Sequence, residues 1–251
     1  MKKFLVSGVA ALAIAVGAAS ANAAPVIYND SISAGTVAFD SVITGVGGTV
    51  MLDTLSGLTY GASSWARTGY TIASTDGTGR AIDTSYLPVG TNSAGAATGG
   101  DAIGINPYSP ASGSGLTFTF ANPVNAFGLE VGDWATCCYT SSLYISFDGG
   151  ATRLVASANT DSDNPGIPAG EGYRNFVAAI DDTSTFSTVT FYGDGFGEYL
   201  VAGGTIRYAT VDIGSVDGAI PEPEAWLLMI AGFGLVGGAL RRRNAMEKAI
   251  A

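Results

Sequence analysis

The sequence predicts an all-β protein, a β-sandwich with a signal helix before it and a single transmembrane helix after it. Three observations predict this architecture. Between residues 24 and 218, short runs alternate apolar with hydroxylic side chains, which is the period of half-buried strands. Clusters of Gly, Asp, Asn and Pro separate these runs, and no convincing helix lies among them. One apolar segment lies at each end of the chain, so we expect three parts: residues 1–23, 24–218 and 219–251.

The N-terminal part has the features of a secretory signal peptide. Two lysines precede an apolar run over residues 4–19, and Ala21 and Ala23 fit the small-x-small rule for signal peptidase. We therefore expect signal peptidase to cleave after Ala23. An uncleaved anchor is the alternative, but the run is short for a membrane span.

The first half of the middle part gives weak strand signals. Strands are expected at residues 26–28, 36–39, 50–52, 58–60 and 70–73. Residues 88–115 are rich in Gly, Ser and Ala and predict a long surface loop.

The second half gives clear strand signals. Leu116, Phe118 and Phe120 fall on one face of a strand, and Thr117 and Thr119 fall on the other. Further strands are expected at residues 124–131, 143–147, 152–158, 174–180, 188–191 and 205–213. One β-sandwich is the economical arrangement for this many short strands.

Composition and charge exclude several functions. The chain contains no histidine, which removes Ser-His-Asp sites, Cys-His sites and histidine-bound zinc. Residues 24–220 contain five arginines, no lysine and eighteen carboxylates, a formal net charge of −13. This charge argues against nucleic acid as a partner. An acidic polysaccharide would need a bridging cation, whereas a neutral glycan would not.

The C-terminal part combines a short motif, an apolar segment and a basic stop. The apolar segment over about residues 225–240 predicts a transmembrane helix of about 24 Å, shorter than the roughly 30 Å of a hydrocarbon core. The basic cluster would stay cytoplasmic, so the middle of the chain would face the exported side. The residues of this pattern are Pro221, Glu222, Pro223, Trp226, Arg241, Arg242 and Arg243.

This tail, from residue 220 to about residue 251, resembles the PEP-CTERM sorting signal of Gram-negative bacteria. The resemblance implies that exosortase, a membrane-embedded cysteine transpeptidase, recognises the tail and cuts near the Pro-Glu-Pro motif. The protein would then be anchored transiently in the inner membrane before it reaches the cell surface or the extracellular space. The same tail is also labelled an ice-binding protein C-terminal domain, a name that does not demonstrate ice binding. A plain single-span anchor is the alternative.

A second resemblance concerns the middle part. Residues 122–131, 146–150 and 186–191 resemble the jelly-roll sandwich domains that often precede PEP-CTERM tails. This resemblance implies a jelly-roll-like domain that is structural or carbohydrate-binding, with an extracellular polysaccharide as a candidate partner. It names no ligand.

Cys137 and Cys138 are adjacent and are the only cysteines in a chain that we expect to be exported. A vicinal disulfide, two free thiols and an intermolecular link are all open. A ring between Trp134 and Tyr139 would stiffen a loop that presents these aromatics to a sugar, or would act only as a staple.

Residues 161–166 begin like a calcium loop, with Asp161 and Asp163 at the first two ligand positions. Pro165 occupies the third position and the final glutamate is missing, so the segment is not an EF-hand. An irregular calcium site drawing on these aspartates, or on Asp181, Asp182 and Asp194, is an alternative to solvated turn residues. No other cofactor is expected.

Together these observations predict a non-enzymatic protein of the cell surface or extracellular matrix, structural or glycan-binding. The alternative is a secreted carbohydrate-active enzyme that uses aspartates, because the only glutamates between residues 24 and 218 are Glu130, Glu171 and Glu198, and none lies in a recognisable motif. A third possibility is an ice or surface adsorber. That function requires ranks of threonine, and only Thr117 and Thr119 form a clear pair.

Overall fold

The computed structural model of the protein describes residues 25–105, 114–193 and 199–216. The predicted cleavage site, the sorting tail and the transmembrane helix expected at about residues 225–240 lie outside these residues. No helix in the described ranges is long and apolar enough to cross a membrane.

Strands dominate the described residues, in agreement with the predicted fold class. They are β1 (Val26–Asp30), β2 (Met51–Thr54), β3 (Ser64–Arg67), β4 (Tyr70–Ser74), β5 (Ile82–Asp83), β6 (Gly90–Thr91), β7 (Ala97–Thr98), β8 (Ala102–Ile105), β9 (Gly115–Val124), β10 (Ala126–Gly132), β11 (Ser141–Phe147), β12 (Arg153–Ala158), β13 (Arg174–Ile180), β14 (Phe186–Gly193) and β15 (Leu200–Ala209). Helix α1 spans Ile32–Gly45, a 3-10 helix spans Asp161–Asp163, and α2 spans Gly166–Ala169.

The strands form two large antiparallel sheets and one small hairpin. Sheet A has the order β1-β13-β10-β15-β8-β5, and β2 pairs with β15 beside β8. Sheet B has the order β12-β11-β14-β9-β4-β3. The hairpin consists of β6 and β7. Because consecutive strands alternate repeatedly between the sheets, the chain closes into one sandwich.

The main core lies between the two sheets. The apolar face of β9 meets that of β10, where the ring centroids of Phe118 and Phe127 lie 4.7 Å apart. Thr117 and Thr119 point to the opposite side of sheet B, as the alternating pattern predicts. The strands predicted in the second half of the chain are therefore present, although the last one has other bounds than predicted.

Helix α1 is the main departure from the predicted fold, because residues 36–39 were expected to form a strand and no helix was expected in this part. Ser31 caps the helix, with its Oγ accepting a hydrogen bond from the Ala34 backbone amide at 3.3 Å. Phe39 and Ile43, four residues apart, are fully buried against the outer face of sheet A. The helical period becomes visible only over the full 14 residues, whereas a four-residue window resembles a β-branched strand.

The prediction of a surface loop over residues 88–115 is wrong for residues 90–105, and residues 106–113 lie outside the described residues. This segment contains the hairpin and β8, and all four residues of β8 are buried within sheet A. Ile103 and Ile105 enter the main core, while the small residues Ala102 and Gly104 lie toward the outer face. The glycine-rich composition obscured this strand.

Two other strand predictions fail in detail. Residues 58–60 form no strand, and Tyr60 lies 76% exposed in a turn. Strand β15 begins five residues before the predicted start and ends at Ala209. Gly203 and Gly204, both at positive φ, interrupt the alternating pattern at its beginning.

Candidate functional site

The cysteine loop connects β10 to β11. The structure joins the sulfur atoms of Cys137 and Cys138 to each other. Trp134 is 0% exposed and belongs to the main core, and its carbonyl accepts a hydrogen bond from Asn164 Nδ2 at 2.8 Å. Of the two alternatives for this loop, presentation of Trp134 to a sugar is wrong, because the indole is buried in the main core. Tyr139 is 45% exposed.

The aspartates of the predicted calcium loop shape the local backbone. Asp163 Oδ2 accepts hydrogen bonds from the backbone amides of Asn159 at 2.8 Å and Thr160 at 3.0 Å, and these bonds lower the pKa of Asp163. Asp161 is exposed at the start of the 3-10 helix. Within the described ranges, no group of three or more cysteine or acidic side chains is arranged to hold a metal ion. Calcium therefore stays a prediction.

The glutamates considered for catalysis serve structural contacts. Glu130 is fully buried beneath the β6–β7 hairpin, and its Oε2 accepts a hydrogen bond from the Gly99 amide at 2.7 Å. Glu171 caps α1, because its Oε2 and Oε1 accept hydrogen bonds from the amides of Ile32 at 2.6 Å and Ser33 at 3.1 Å. These two carboxylates do not flank an open groove as a hydrolytic pair would. The structure gives the enzyme alternative no support, and Glu198 lies outside the described residues.

A buried polar network joins Glu130 to the elements that cover sheet A. Arg207 Nη1 lies 3.7 Å from Glu130 Oε1, and Arg207 also contacts Asp40 of α1 at 3.2 Å and the Ala97 carbonyl of β7 at 2.6 Å. Burial raises the pKa of Glu130 to about 7, against the opposing effects of Gly99 and Arg207. The network therefore fastens both α1 and the hairpin to the sheet.

Four tyrosines gather at the other end of the same outer face, where β10 ends and β15 begins. We call Tyr60, Tyr86, Tyr173 and Tyr199 the tyrosine surface. Tyr60 is 76% exposed, Tyr173 and Tyr199 are each 36% exposed, and Tyr86 is partly buried. Partly exposed aromatic rings beside polar groups are typical of surfaces that bind amphipathic ligands.

Small residues of sheet A make room for these rings. Gly132, Val201 and Gly104 are paired in register across β10, β15 and β8. A Cβ on Gly132 would lie 3.2 Å from the Tyr86 Cβ, and one on Gly104 would lie 2.7 Å from the Tyr199 hydroxyl oxygen. The two tyrosines therefore lie directly against the sheet at positions that larger residues would obstruct.

Two carboxylates accompany the tyrosines. Burial, and then the charge of Asp133 and hydrogen bonding to it, raise the pKa of Tyr86. Burial and then the charges of Asp83, Tyr60 and Asp133 raise the pKa of Tyr199. Burial also raises the pKa of Asp133, although hydrogen bonding to Tyr86 opposes the shift. Asp83 and Asp133 thus lie close enough to Tyr86 and Tyr199 to influence their protonation.

A groove of about 340 Å³ opens beside this cluster. It is lined by Ser85, Tyr86, Gly172, Tyr173 and Arg174. The backbone holds its two sides together, because the Asp133 amide donates a hydrogen bond to the Tyr173 carbonyl at 2.9 Å. The groove therefore lies between two connecting segments at the edge of sheet A, and Arg174 is its lining residue that belongs to a strand.

Sequence reasoning missed the tyrosine surface entirely. Tyr60 and Tyr86 lie in the first half of the chain and Tyr173 and Tyr199 in the second, and the pairing of β10 with β13 and β15 brings the two halves together. The available signal was the position of Tyr60, Tyr86, Tyr173 and Tyr199 outside regular strands, where a ring has no core to fill.

Threonines on the outer face of sheet B align more extensively than the sequence showed. Thr119 pairs in register with Thr71 and Thr188, and Thr117 pairs with Thr190, with 3.2 Å between their hydroxyl oxygens. Cross-strand pairs of this kind stabilise a sheet, which accounts for them.

Comparison with known proteins assigns the tail. Residues 219–243 match the family model described as the PEP-CTERM protein-sorting motif. The chain carries a PEP-CTERM sorting motif. This confirms the resemblance inferred from the sequence. The matched range contains the Pro-Glu-Pro motif, Trp226 and the arginine cluster.

Several solved structures of carbohydrate-binding modules are similar to this chain. A variant of the family 29 module CBM29-2 is 11% identical over 69% of this chain and 99% of that chain, with a TM-score of 0.34. A variant complexed with mannohexaose has the same identity and coverage with a TM-score of 0.33, and one complexed with cellulohexaose is 10% identical over 68% and 98%, with a TM-score of 0.31. Scores this low carry no argument about the ligand of this chain. No curated protein matches it.

Proposed function

We propose that residues 24–218 bind a neutral polysaccharide at the cell surface or in the extracellular matrix, after export and sorting through the PEP-CTERM tail. The observation that carries this proposal is the tyrosine surface, with Asp83 and Asp133, beside an open groove. Both features belong to the described β-sandwich and need no contribution from the tail.

The chemistry of the cluster fits a sugar chain. A pyranose ring has apolar C–H faces that pack on an aromatic ring, and equatorial hydroxyls that hydrogen-bond to polar groups at the ring's edge. Tyr86 and Tyr199 are held against sheet A by close contacts, so they lose little conformational freedom when a ligand binds. Asp83 and Asp133 supply acceptors for sugar hydroxyls.

A binding experiment tests this proposal. The full-length chain, purified in detergent, is applied to an array of neutral oligosaccharides, and the best ligand is titrated by calorimetry. We expect Tyr199→Ala and Tyr173→Ala each to weaken binding by about tenfold, because a buried aromatic contact contributes about 1–2 kcal/mol.

Tyr192→Ala is the matched control. Tyr192 is a partly buried tyrosine on the outer face of sheet B, stacked on Tyr144 with ring centroids 5.2 Å apart. Its removal should leave the affinity unchanged. Equal loss in all three variants, or no binding by the parent chain, would contradict the proposal. Hydrolysis of a panel of glycosides by the same sample would favour the enzyme alternative.

We also propose that exosortase processes the tail near Pro221 and Pro223, after signal peptidase has cleaved behind Ala23. The family match to residues 219–243 supports processing by exosortase. Sequencing of the exported protein should begin at Ala24. Replacement of residues 221–223 by alanine should leave export intact and hold the full-length protein in the membrane fraction. Processing identical to that of the parent chain would favour the plain anchor.

A further inference from the structure

Arg174 differs from the other arginines of the β-sandwich. Although it is partly buried, within the described part of the chain its guanidinium forms no ion pair or hydrogen bond. Each of the other four arginines contacts a carboxylate: Arg67 with Asp53, Arg80 with Asp76, Arg153 with Asp181, and Arg207 with Asp40. In a domain with eighteen carboxylates, an unpaired guanidinium is therefore a local exception.

Arg174 lies where two depressions meet. It lines the groove beside Tyr86 and Tyr173 and also a separate cavity of about 130 Å³. The cavity lies between the β6–β7 hairpin and the start of α1, and its lining includes Thr98 and Glu171. A ligand that extends from the tyrosine surface into the cavity would pass the guanidinium.

The nearby carboxylates already have hydrogen-bond donors. Glu171 accepts the amides at the start of α1, where the helix dipole favours a negative charge. Asp83 Oδ1 accepts hydrogen bonds from the amides of Ser85 at 2.7 Å and Tyr86 at 3.1 Å. The charged group that lacks a protein partner at this site is thus the cation.

We infer that Arg174 binds a carboxylate carried by the glycan, so that the ligand is a largely neutral chain with isolated uronic acid residues. This inference rests on the proposed function, because the tyrosine surface must hold the neutral sugars. The planar guanidinium matches the two oxygens of a carboxylate and forms two parallel hydrogen bonds with it. The cavity receives the sugar that carries the acid.

The surrounding charge limits the density of acidic groups in the ligand. Glu171 lines the cavity together with Arg174, Asp83 and Asp133 lie beside Tyr86 of the groove, and the domain as a whole carries a formal charge of −13. Successive carboxylates of a polyuronate would face these groups without a compensating cation. We therefore expect a homopolymer of uronic acid to bind more weakly than a chain with one acid.

The test compares two probes that differ in a single group. One probe is the neutral oligosaccharide selected on the array, and the other is the same oligosaccharide with one hexose oxidised to the uronic acid. The full-length chain should bind the acidic probe about tenfold more tightly, since a charge-assisted hydrogen-bond pair contributes about 1.5 kcal/mol or more. Added salt should reduce this preference.

Arg174→Gln should abolish the preference, so that the variant binds the two probes with equal affinity. Arg153→Gln is the matched control, because Arg153 is partly exposed on β12 and pairs with Asp181. It should behave like the parent chain. Equal affinity of the parent for both probes, or an equal loss with both probes in Arg174→Gln, would overturn the inference.

Tyr199→Ala separates this inference from the proposed function. It should weaken the binding of both probes while the preference for the acidic probe persists. Tyrosine-dependent binding without a preference would overturn the role of Arg174 alone. If the parent chain bound neither probe, both proposals would fail.

Discussion

The outer face of sheet A has two halves, one covered by α1 and one open to solvent. In the covered half, α1 lies over β13, and Phe39 packs edge-on against Phe176 with ring centroids 5.7 Å apart. In the open half, Gly132 and Gly104 leave room on the sheet for Tyr86 and Tyr199, which are partly exposed. We call these two glycines the glycine floor. The same strands pass through both halves.

This difference separates stability from recognition. Apolar side chains in the covered half are removed from water completely, so they contribute to the free energy of unfolding. Rings in the open half remain partly exposed to solvent, so their apolar surface is buried only when a ligand binds and then contributes to affinity. Substitutions in the two halves should therefore affect different measurements.

The largest effect is expected in the covered half. Phe39→Ala should lower the free energy of unfolding by about 3–5 kcal/mol, because it leaves a cavity between α1 and sheet A. Urea denaturation followed by circular dichroism measures this change. Ser41→Ala, on the exposed side of α1, and Tyr60→Ala, in the open half, should each stay within about 0.5 kcal/mol of the parent. A loss of similar size in Tyr60→Ala would break the comparison.

The second prediction concerns Glu130 and pH. Its pKa rises from its usual 4.5 to about 7 on folding, so the folded state binds a proton more tightly than the unfolded state. The contribution of this group to stability should therefore fall by about 3 kcal/mol as pH rises from 4.5 to about 7.

Denaturation of the parent and of Glu130→Gln across this pH window measures the effect. Other carboxylates are shared by the two chains, so the difference between their stabilities isolates Glu130. That difference should shift in favour of Glu130→Gln as pH rises. A constant difference would show that the buried pair with Arg207 does not titrate in this window.

The third prediction sharpens the role of the glycine floor. Gly132→Ala would place a methyl group 2.8 Å from Val201 Cγ2 and 3.2 Å from the Tyr86 Cβ. It should destabilise the fold by about 1–3 kcal/mol and weaken oligosaccharide binding by about fivefold. Gly45→Ala, where the added methyl group meets no atom within 4 Å, should leave both unchanged or raise stability slightly. Unchanged binding in Gly132→Ala would show that the glycine floor does not contribute to ligand binding.

The smallest effect is expected from the cysteine pair. A bond between Cys137 and Cys138 closes a ring of two residues and so removes little freedom from the unfolded chain. Replacement of both by serine should change the free energy of unfolding by less than about 1 kcal/mol. Non-reducing electrophoresis of the exported protein should show a monomer. A reducible dimer would refute the intramolecular bond.

The parts of the fold that were predictable are those with a local pattern. Strands β9, β11 and β14 alternate in sequence, so their faces were evident before the structure. Helix α1 was missed because its first buried residues mix Gly and Thr with Ile, which weakens the helical period. Strand β8 was missed because its outer positions must be small to fit beneath neighbouring side chains.

The two candidate sites differ in the same way. The PEP-CTERM motif is contiguous in sequence, so residues 221–243 could be recognised directly. The tyrosine surface is created by antiparallel pairing of distant strands, and Arg174 becomes exceptional only once the partners of the other arginines are known. Long-range register is the information that the sequence alone did not reveal.

Strand β15 begins at the tyrosine surface and ends at Ala209, seven residues before Val216, the last described residue. Val201 lies beside the tyrosines, while Ala209 and Val216 belong to the cluster beneath α1 at the opposite end. Eight residues of strand separate Val201 from Ala209, a distance of about 25 Å. Strand β15 thus separates the tyrosine surface from the C-terminal end of the described domain by most of the length of sheet A.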